Sequence, residues 1–176
     1  MRKTRNLLRA FTLIELLLVI SISGFLASFV LVGYQRAQER GRAVTIVQDF
    51  KTIENSLRLL RTSEDRDTWW GEAYWPGGHK ISQITNLPEF MPVTPEPPMT
   101  DSYYEYDNDG DTIVEGDCGC CKGVNIGLRN CGTQCQKHFN LVDDIVDHRD
   151  GACHGRVRTD AGFTYIYFNI ASNENL

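Results

Sequence analysis

The chain has 176 residues, 18 Lys plus Arg against 23 Asp plus Glu, and a formal net charge of −5. An acidic chain with no Lys/Arg cluster after residue 66 lacks the basic patch or stripe that nucleic-acid binding requires, so no nucleic-acid partner is expected. The six cysteines, at 118, 120, 121, 131, 135 and 153, all fall in the last third, and the sequence contains neither internal repeats nor a long low-complexity tract.

The first ten residues carry Arg2, Lys3, Arg5 and Arg9 and no acid. From Phe11 to Val32 come 22 residues with a single charge, Glu15, and no proline. A helix of that length rises about 1.5 Å per residue and covers the roughly 30 Å of bilayer hydrocarbon. The basic flank keeps the amino terminus cytoplasmic and sends the rest across. The apolar run is too long for a secretory signal core, and it continues through Phe29-Val30-Leu31-Val32 beyond the small pair Ala27 and Ser28. Glu15 is the residue that an ordinary anchor leaves unexplained, because an ionised carboxylate in hydrocarbon needs a partner. The start of a helix dipole together with Arg9 is one source of compensation; a specific cation is the other.

The stretch Ala10-Phe11-Thr12-Leu13-Ile14-Glu15-Leu16-Leu17-Leu18-Val19-Ile20 resembles the class III signal of type IV pilins and type II secretion pseudopilins. The resemblance implies that a prepilin peptidase cuts between Ala10 and Phe11, that Phe11 becomes an N-methylated first residue, and that Glu15 serves assembly. It also implies a single-pass protein of the bacterial inner membrane with a periplasmic head, an inner-membrane assembly platform as partner, and self-assembly into a helical filament, either a pilus or a pseudopilus. Glu15 of one subunit then meets the Phe11 amine of another, and each cancels a charge that would otherwise be buried alone. Two positions depart from the family pattern: Ala10 stands where Gly is usual before the cut, and Val32 replaces the usual proline. Without the leader the chain keeps 14 basic residues against 23 acidic ones, a formal charge of −9.

The expected fold is α+β and pilin-like, a long amino-terminal helix packed on a small antiparallel sheet. Its parts are a removed leader, 1–10; a helix, 11–60, with a membrane and assembly part, 11–33, and a head-packing part, 34–60; and a globular head, 61–176. The helix is expected to continue past the membrane because Val44, Val47, Phe50, Ile53, Leu57 and Leu60 recur at three- and four-residue spacing, and Glu54 and Arg58 form an i,i+4 pair. Gly24 and Gly33 let neighbouring helices approach. A long connection, 61–100, follows, holding Trp69, Trp70 and Trp75, which are expected to fill the groove between helix and sheet; an exposed adhesive patch is the alternative. Leu87 to Pro92 and Pro95 to Pro98 read as extended chain.

Tyr103 to Tyr106 reads as a strand, Asp107 to Asp111 as an acidic turn and Thr112 to Glu115 as the returning strand. Asp107, Asp109 and Asp111 alternate beside Gly110 in partial likeness to a calcium loop, so Ca2+ is the candidate cofactor here, although position twelve of that register is Gly116 and not a glutamate. Outside the cytoplasm Cys118, Cys120, Cys121, Cys131, Cys135 and Cys153 most simply form three disulfides, in one of 15 pairings. Two further chemistries fit the spacing: zinc on Cys118, Cys121, Cys131 or Cys135, and His138; and haem attachment at Cys118-Gly-Cys120-Cys121-Lys122, with Lys in place of His. Phe139 to His148 reads as a short amphipathic helix ended by Asp150-Gly151, and His138, His148 and His154 read as surface groups. A final hairpin turns at Asp160 to Gly162 and directs Ile166, Phe168 and Ile170 toward the long helix, with Tyr165 and Tyr167 on the other side. No catalytic motif is present, so the chain is not expected to be an enzyme; a metal-binding or enzymatic domain on an ordinary tether would leave Glu15 without a role.

Overall fold

The computed structural model describes residues 11–70, 79–109, 123–149, 155–159 and 165–171. Helix α1 spans Leu13–Ser63 and β1 spans His79–Lys80. Strand β2 follows at Tyr103–Asp109, β3 at Gly123–Arg129, α2 at Cys135–Val146, β4 at Val157–Arg158 and β5 at Ile166–Ala171. Every strand pairing is antiparallel, in the order β1-β2-β3-β5-β4. The class is therefore α+β with a long amino-terminal helix. By packing the chain divides into two units, 1–39 and 40–176.

In the first unit every described side chain from Phe11 to Gln38 is exposed. Among the described residues one helix, α1, is long and apolar enough to cross a membrane, and its apolar window lies near the amino terminus. Ser21 and Ser28 donate their hydroxyls to the carbonyls of Leu17 and Gly24 four residues back, at 2.8 and 2.9 Å, which satisfies them without water.

The second unit is built on the remainder of α1. Ala43, Ile46, Val47, Phe50, Ile53, Leu57 and Leu60 are buried against an apolar sheet face made by Tyr104 and Tyr106, by Val124, Ile126 and Leu128, and by Ile166, Phe168 and Ile170. Phe50 stacks on Phe168 at 5.2 Å and meets Tyr104 edge-on at 5.5 Å. Val44, expected on this stripe, is instead 49% exposed. The helical period gives its place to Ala43 and Ile46, which sit nearer the centre of the packed face.

β2 does not stop at Tyr106. It continues through Asp109 and pairs residue for residue with β3, Tyr106 opposite Ile126 and Asp109 opposite Gly123. The expected acidic turn therefore begins as strand, and the returning strand expected at Thr112 to Glu115 lies outside the described residues. The side of the sheet away from α1 is polar yet buried: Glu105, Asp107, Asn125, Tyr167 and Asn169 are all at most 7% exposed. Arg129 ion-pairs with Glu105 and reaches Asp107 at 3.4 Å, with its guanidinium 3.9 Å from the Tyr165 ring centre. A Cβ on Gly127 would come within 3.0 Å of Glu105, so glycine makes room for this ion pair. Asn169 donates to Asn125 at 3.0 Å on the same side.

Trp69 and Trp70 are buried, as expected for groove-filling aromatics. The Trp70 indole donates to Glu64 at 3.1 Å, and its carbonyl accepts from the Tyr106 hydroxyl and the Asn108 amide at 2.9 and 2.8 Å. Trp75 lies outside the described residues. Leu87–Glu89 is a turn of 3-10 helix and not extended chain, because Pro88 occupies the first turn, where its missing N–H costs nothing. Helix α2 begins four residues before the apolar pattern, at Cys135. The described parts of the final hairpin, β4 and β5, pair as expected, Val157 opposite Phe168.

Candidate functional site

The candidate site is the start of α1, and its local geometry follows from Thr12 and Glu15. Thr12 precedes the first helical residue, Leu13, and Glu15 stands three residues beyond Thr12. The Thr12 amide and hydroxyl both donate to Glu15 Oε2, at 2.9 and 2.7 Å, and the Glu15 amide donates back to Thr12 Oγ1 at 3.3 Å. This is a reciprocal capping box, in which two otherwise orphaned donors of the first turn find acceptors. The Thr-x-x-Glu spacing carries that signal in the sequence, and the charge of Glu15 by itself does not. Glu15 thus has a partner in its own chain, and the carboxylate lies at the amino end of the helix, where the dipole favours it.

Phe11 directly precedes Thr12 and is 73% exposed. A cut before Phe11 would place a new amine one residue from the amide that Glu15 already accepts. Ala10 lies outside the described residues. Behind the cap, Leu13, Ile14, Leu16, Leu17, Leu18, Val19 and Ile20 are all at least half exposed, an apolar surface far larger than a soluble monomer leaves uncovered.

The other expected sites are placed as follows. Asp107 is a strand residue whose carboxylate faces Arg129. Asp109 ends β2 opposite Gly123, and Asp111 lies outside the described residues. Among the described residues no group of three or more His, Cys, Asp or Glu is placed to hold a metal. Cys131 and Cys135 form a disulfide, Cα–Cα 5.1 Å, that ties the end of β3 to the first residue of α2. The bridge removes both from the zinc set, which then lacks its third thiolate. Cys118, Cys120, Cys121 and Cys153, with the haem pattern that ends at Lys122, lie outside the described residues.

His138 is fully buried and not a surface group. It falls on the inner face of α2 one turn after Cys135, and its Nδ1 lies 2.9 Å from the Gln134 carbonyl, so that nitrogen carries the proton. His148 is exposed at the end of α2, and His154 lies outside the described residues.

In the head, burial raises the Asp49 carboxyl above its ordinary range, and the 2.7 Å bond donated by the Tyr104 hydroxyl opposes that shift. Burial likewise raises the hydroxyls of Tyr104 and Tyr106, so both stay protonated well into the alkaline range. These groups hold the helix to the sheet, Asp49 from α1 and Tyr104 from β2.

No protein-family model, no characterised protein and no solved structure matches this chain.

Proposed function

We propose that the chain is a type IV pilin-like structural subunit that is cut before Phe11, methylated there, and polymerised through its amino-terminal helix. The observation that carries this reading is the placement of Glu15: a single carboxylate, capped onto the first turn of a membrane-length helix and next in line to the residue that the cut would expose. The exposed apolar part of α1 supports it, because such a surface requires lipid before assembly and neighbouring helices after it. The head is α+β with a helix backed by an antiparallel sheet, the architecture that the resemblance implies. A pseudopilus confined to the periplasm would be built by the same contacts. The Cys131–Cys135 bridge favours the surface fibre, which meets shear and proteases.

Two substitutions test the reading. Glu15→Gln keeps a capping-box acceptor and removes the charge, whereas Glu15→Ala removes both. Both are expected to abolish filament formation while the protein still reaches the membrane with a folded head, because either strands the Phe11 amine of a neighbouring subunit at a cost of about 3 to 5 kcal/mol. Normal filaments from Glu15→Gln would sink the charge-pair mechanism. Intact mass of the protein from its own host, with and without reductant, checks the processing: loss of residues 1–10 and gain of one methyl are expected, and a full-length mass would reduce the protein to a tethered domain.

A further inference from the structure

Within the unit 40–176, α1 buries one face against the sheet and presents the opposite one. Gly41, Val44, Gln48, Thr52, Asn55 and Leu59 recur at three- and four-residue spacing and are all exposed. None is charged, in a chain of which 23% of residues are charged. Val44 and Leu59 are 49% and 55% exposed, and a Cβ on Gly41 would meet nothing within 4 Å. Thr52 gives its hydroxyl to the Gln48 carbonyl at 2.9 Å and so keeps that donor within the helix. Arg40 and Lys51 lie beside this stripe, both exposed and neither in an ion pair among the described residues.

Elsewhere on the same unit, a cleft of about 450 Å³ opens between Ser82 and the segment 94–104. Its walls are Pro95, Pro97 and Tyr103, and its carboxylates are Glu96 and Asp101, both exposed and likewise outside any ion pair among the described residues. Several other cations in this unit already face an anion or a ring: Arg58 and Arg156 share Glu54, Arg129 holds Glu105, Arg149 holds Asp144, and Lys80 lies 4.3 Å from the Tyr103 ring centre.

We propose that the uncharged face of α1 between Gly41 and Leu59 is a docking surface for a second copy of this chain, which brings the acidic rim of its cleft, Glu96 and Asp101, against Arg40 and Lys51. A like-to-like contact of α1 with α1 would set Arg40 and Lys51 against themselves, and cleft to cleft would set four carboxylates together. Only the unlike pairing joins opposite charges. Such a contact is head-to-tail: each copy uses one surface and leaves the other open, so that copies add without closing unless the rotation makes a ring. The proposal rests on the reading of the chain as a self-assembling subunit and adds a contact that does not involve Glu15.

The experiment uses the full chain in membranes of its own host. Carbodiimide, which joins an amine directly to a carboxylate, is expected to link Lys51 of one copy to Glu96 or Asp101 of another, as read by mass spectrometry of the cross-linked species. Glu96→Lys with Asp101→Lys, and separately Arg40→Glu with Lys51→Glu, should each lower the assembled fraction about tenfold, since like charges then face each other. All four changes in one chain should restore it to within about threefold of the parent. Intrinsic tryptophan fluorescence checks that each head is folded, and Glu96→Gln with Asp101→Asn serves as the milder pair. Cross-links that map elsewhere, assembly indifferent to the reversals, or no recovery in the fourfold variant would overturn the contact. Assembly that depends on Glu15 but ignores the reversals overturns this contact alone; absence of any assembled species from the parent chain overturns the filament reading with it.

Discussion

One helix, α1, passes through two environments, and the contrast between them says where each finds its partner. Between Ala43 and Leu60 one apolar face, from Ala43 and Ile46 to Leu57 and Leu60, is covered by strands of the same chain, and Phe50 has no exposed surface. Between Phe11 and Leu31 large apolar side chains are 50% to 80% exposed, and the rings of Phe25 and Phe29 meet edge-on at 4.9 Å. The first region obtains its hydrophobic stabilisation by folding; the second obtains it only from lipid or from other molecules.

The largest effect expected from this contrast is a pair of opposite results. Phe50→Ala removes a ring packed between Phe168 and Tyr104 and should lower head stability by about 3 to 5 kcal/mol in denaturant titrations followed by tryptophan fluorescence. Phe25→Ala should leave that titration unchanged and act only on membrane insertion or on the proposed assembly. A head that loses stability on Phe25→Ala would show that the two regions are coupled and would break the comparison.

Next is the polar side of the sheet. Arg129→Ala strands Glu105, which is 2% exposed, and should cost about 3 kcal/mol or more, as breaking a buried pair does. Replacing Glu105 and Arg129 together by a well-packed apolar pair should cost much less, which separates the loss of the bridge from the stranding of a charge. Equal costs would mean that the ion pair itself, and not the burial of an unpaired charge, sets the value.

How much of this was legible in the sequence differs between the same regions. The long helix and β5 show in the apolar period, and Trp70 was recognisable as a groove filler because few other residues bring so large an apolar body. The buried ion pair was not legible. In the pattern Tyr104-Glu105-Tyr106-Asp107 the carboxylates read as the wet side of a half-buried strand, and nothing local shows that this side is covered as well. β3 does not stand out in the sequence although Val124, Ile126 and Leu128 alternate, because Gly123, Asn125 and Gly127 beside them are poor strand formers and cysteines flank the segment. The glycine that weakens the strand signal is the one that Glu105 requires. At the candidate site the proposed cut and the proposed roles of Phe11 and Glu15 rest on the resemblance, whereas the capping box is written in Thr12 and Glu15 themselves.

A smaller effect follows from the Cys131–Cys135 bridge. The two residues are only four apart, so the loop it closes is short, and replacing both by Ser should cost about 2 kcal/mol by the chain-entropy argument. The loss should appear as local opening of α2, seen as faster amide exchange from Cys135 onward, with α1 protected as before. Equal loss of protection in α1 would mean that α2 is part of the main cooperative unit.

The smallest effect lies at the seam between α1 and β2. Because burial raises the Asp49 carboxyl in the folded head above its unfolded value of 3.8, the group contributes most to stability below that pH, and the contribution is lost as pH rises through the folded value. Tyr104 and Tyr106 behave in the same sense at the other end of the scale. Above about pH 10 the unfolded chain releases their protons while the fold retains them, and stability falls again. Asp49→Asn keeps an acceptor for the Tyr104 hydroxyl and removes the charge, so near neutrality it should change stability by no more than about 0.5 kcal/mol and flatten the acid-side slope. The alkaline slope should be unaltered, since it belongs to the tyrosines. A loss above 1 kcal/mol in Asp49→Asn, on the order of a hydrogen bond to a charged group, would show that the ionised carboxylate is itself what ties the helix to the sheet.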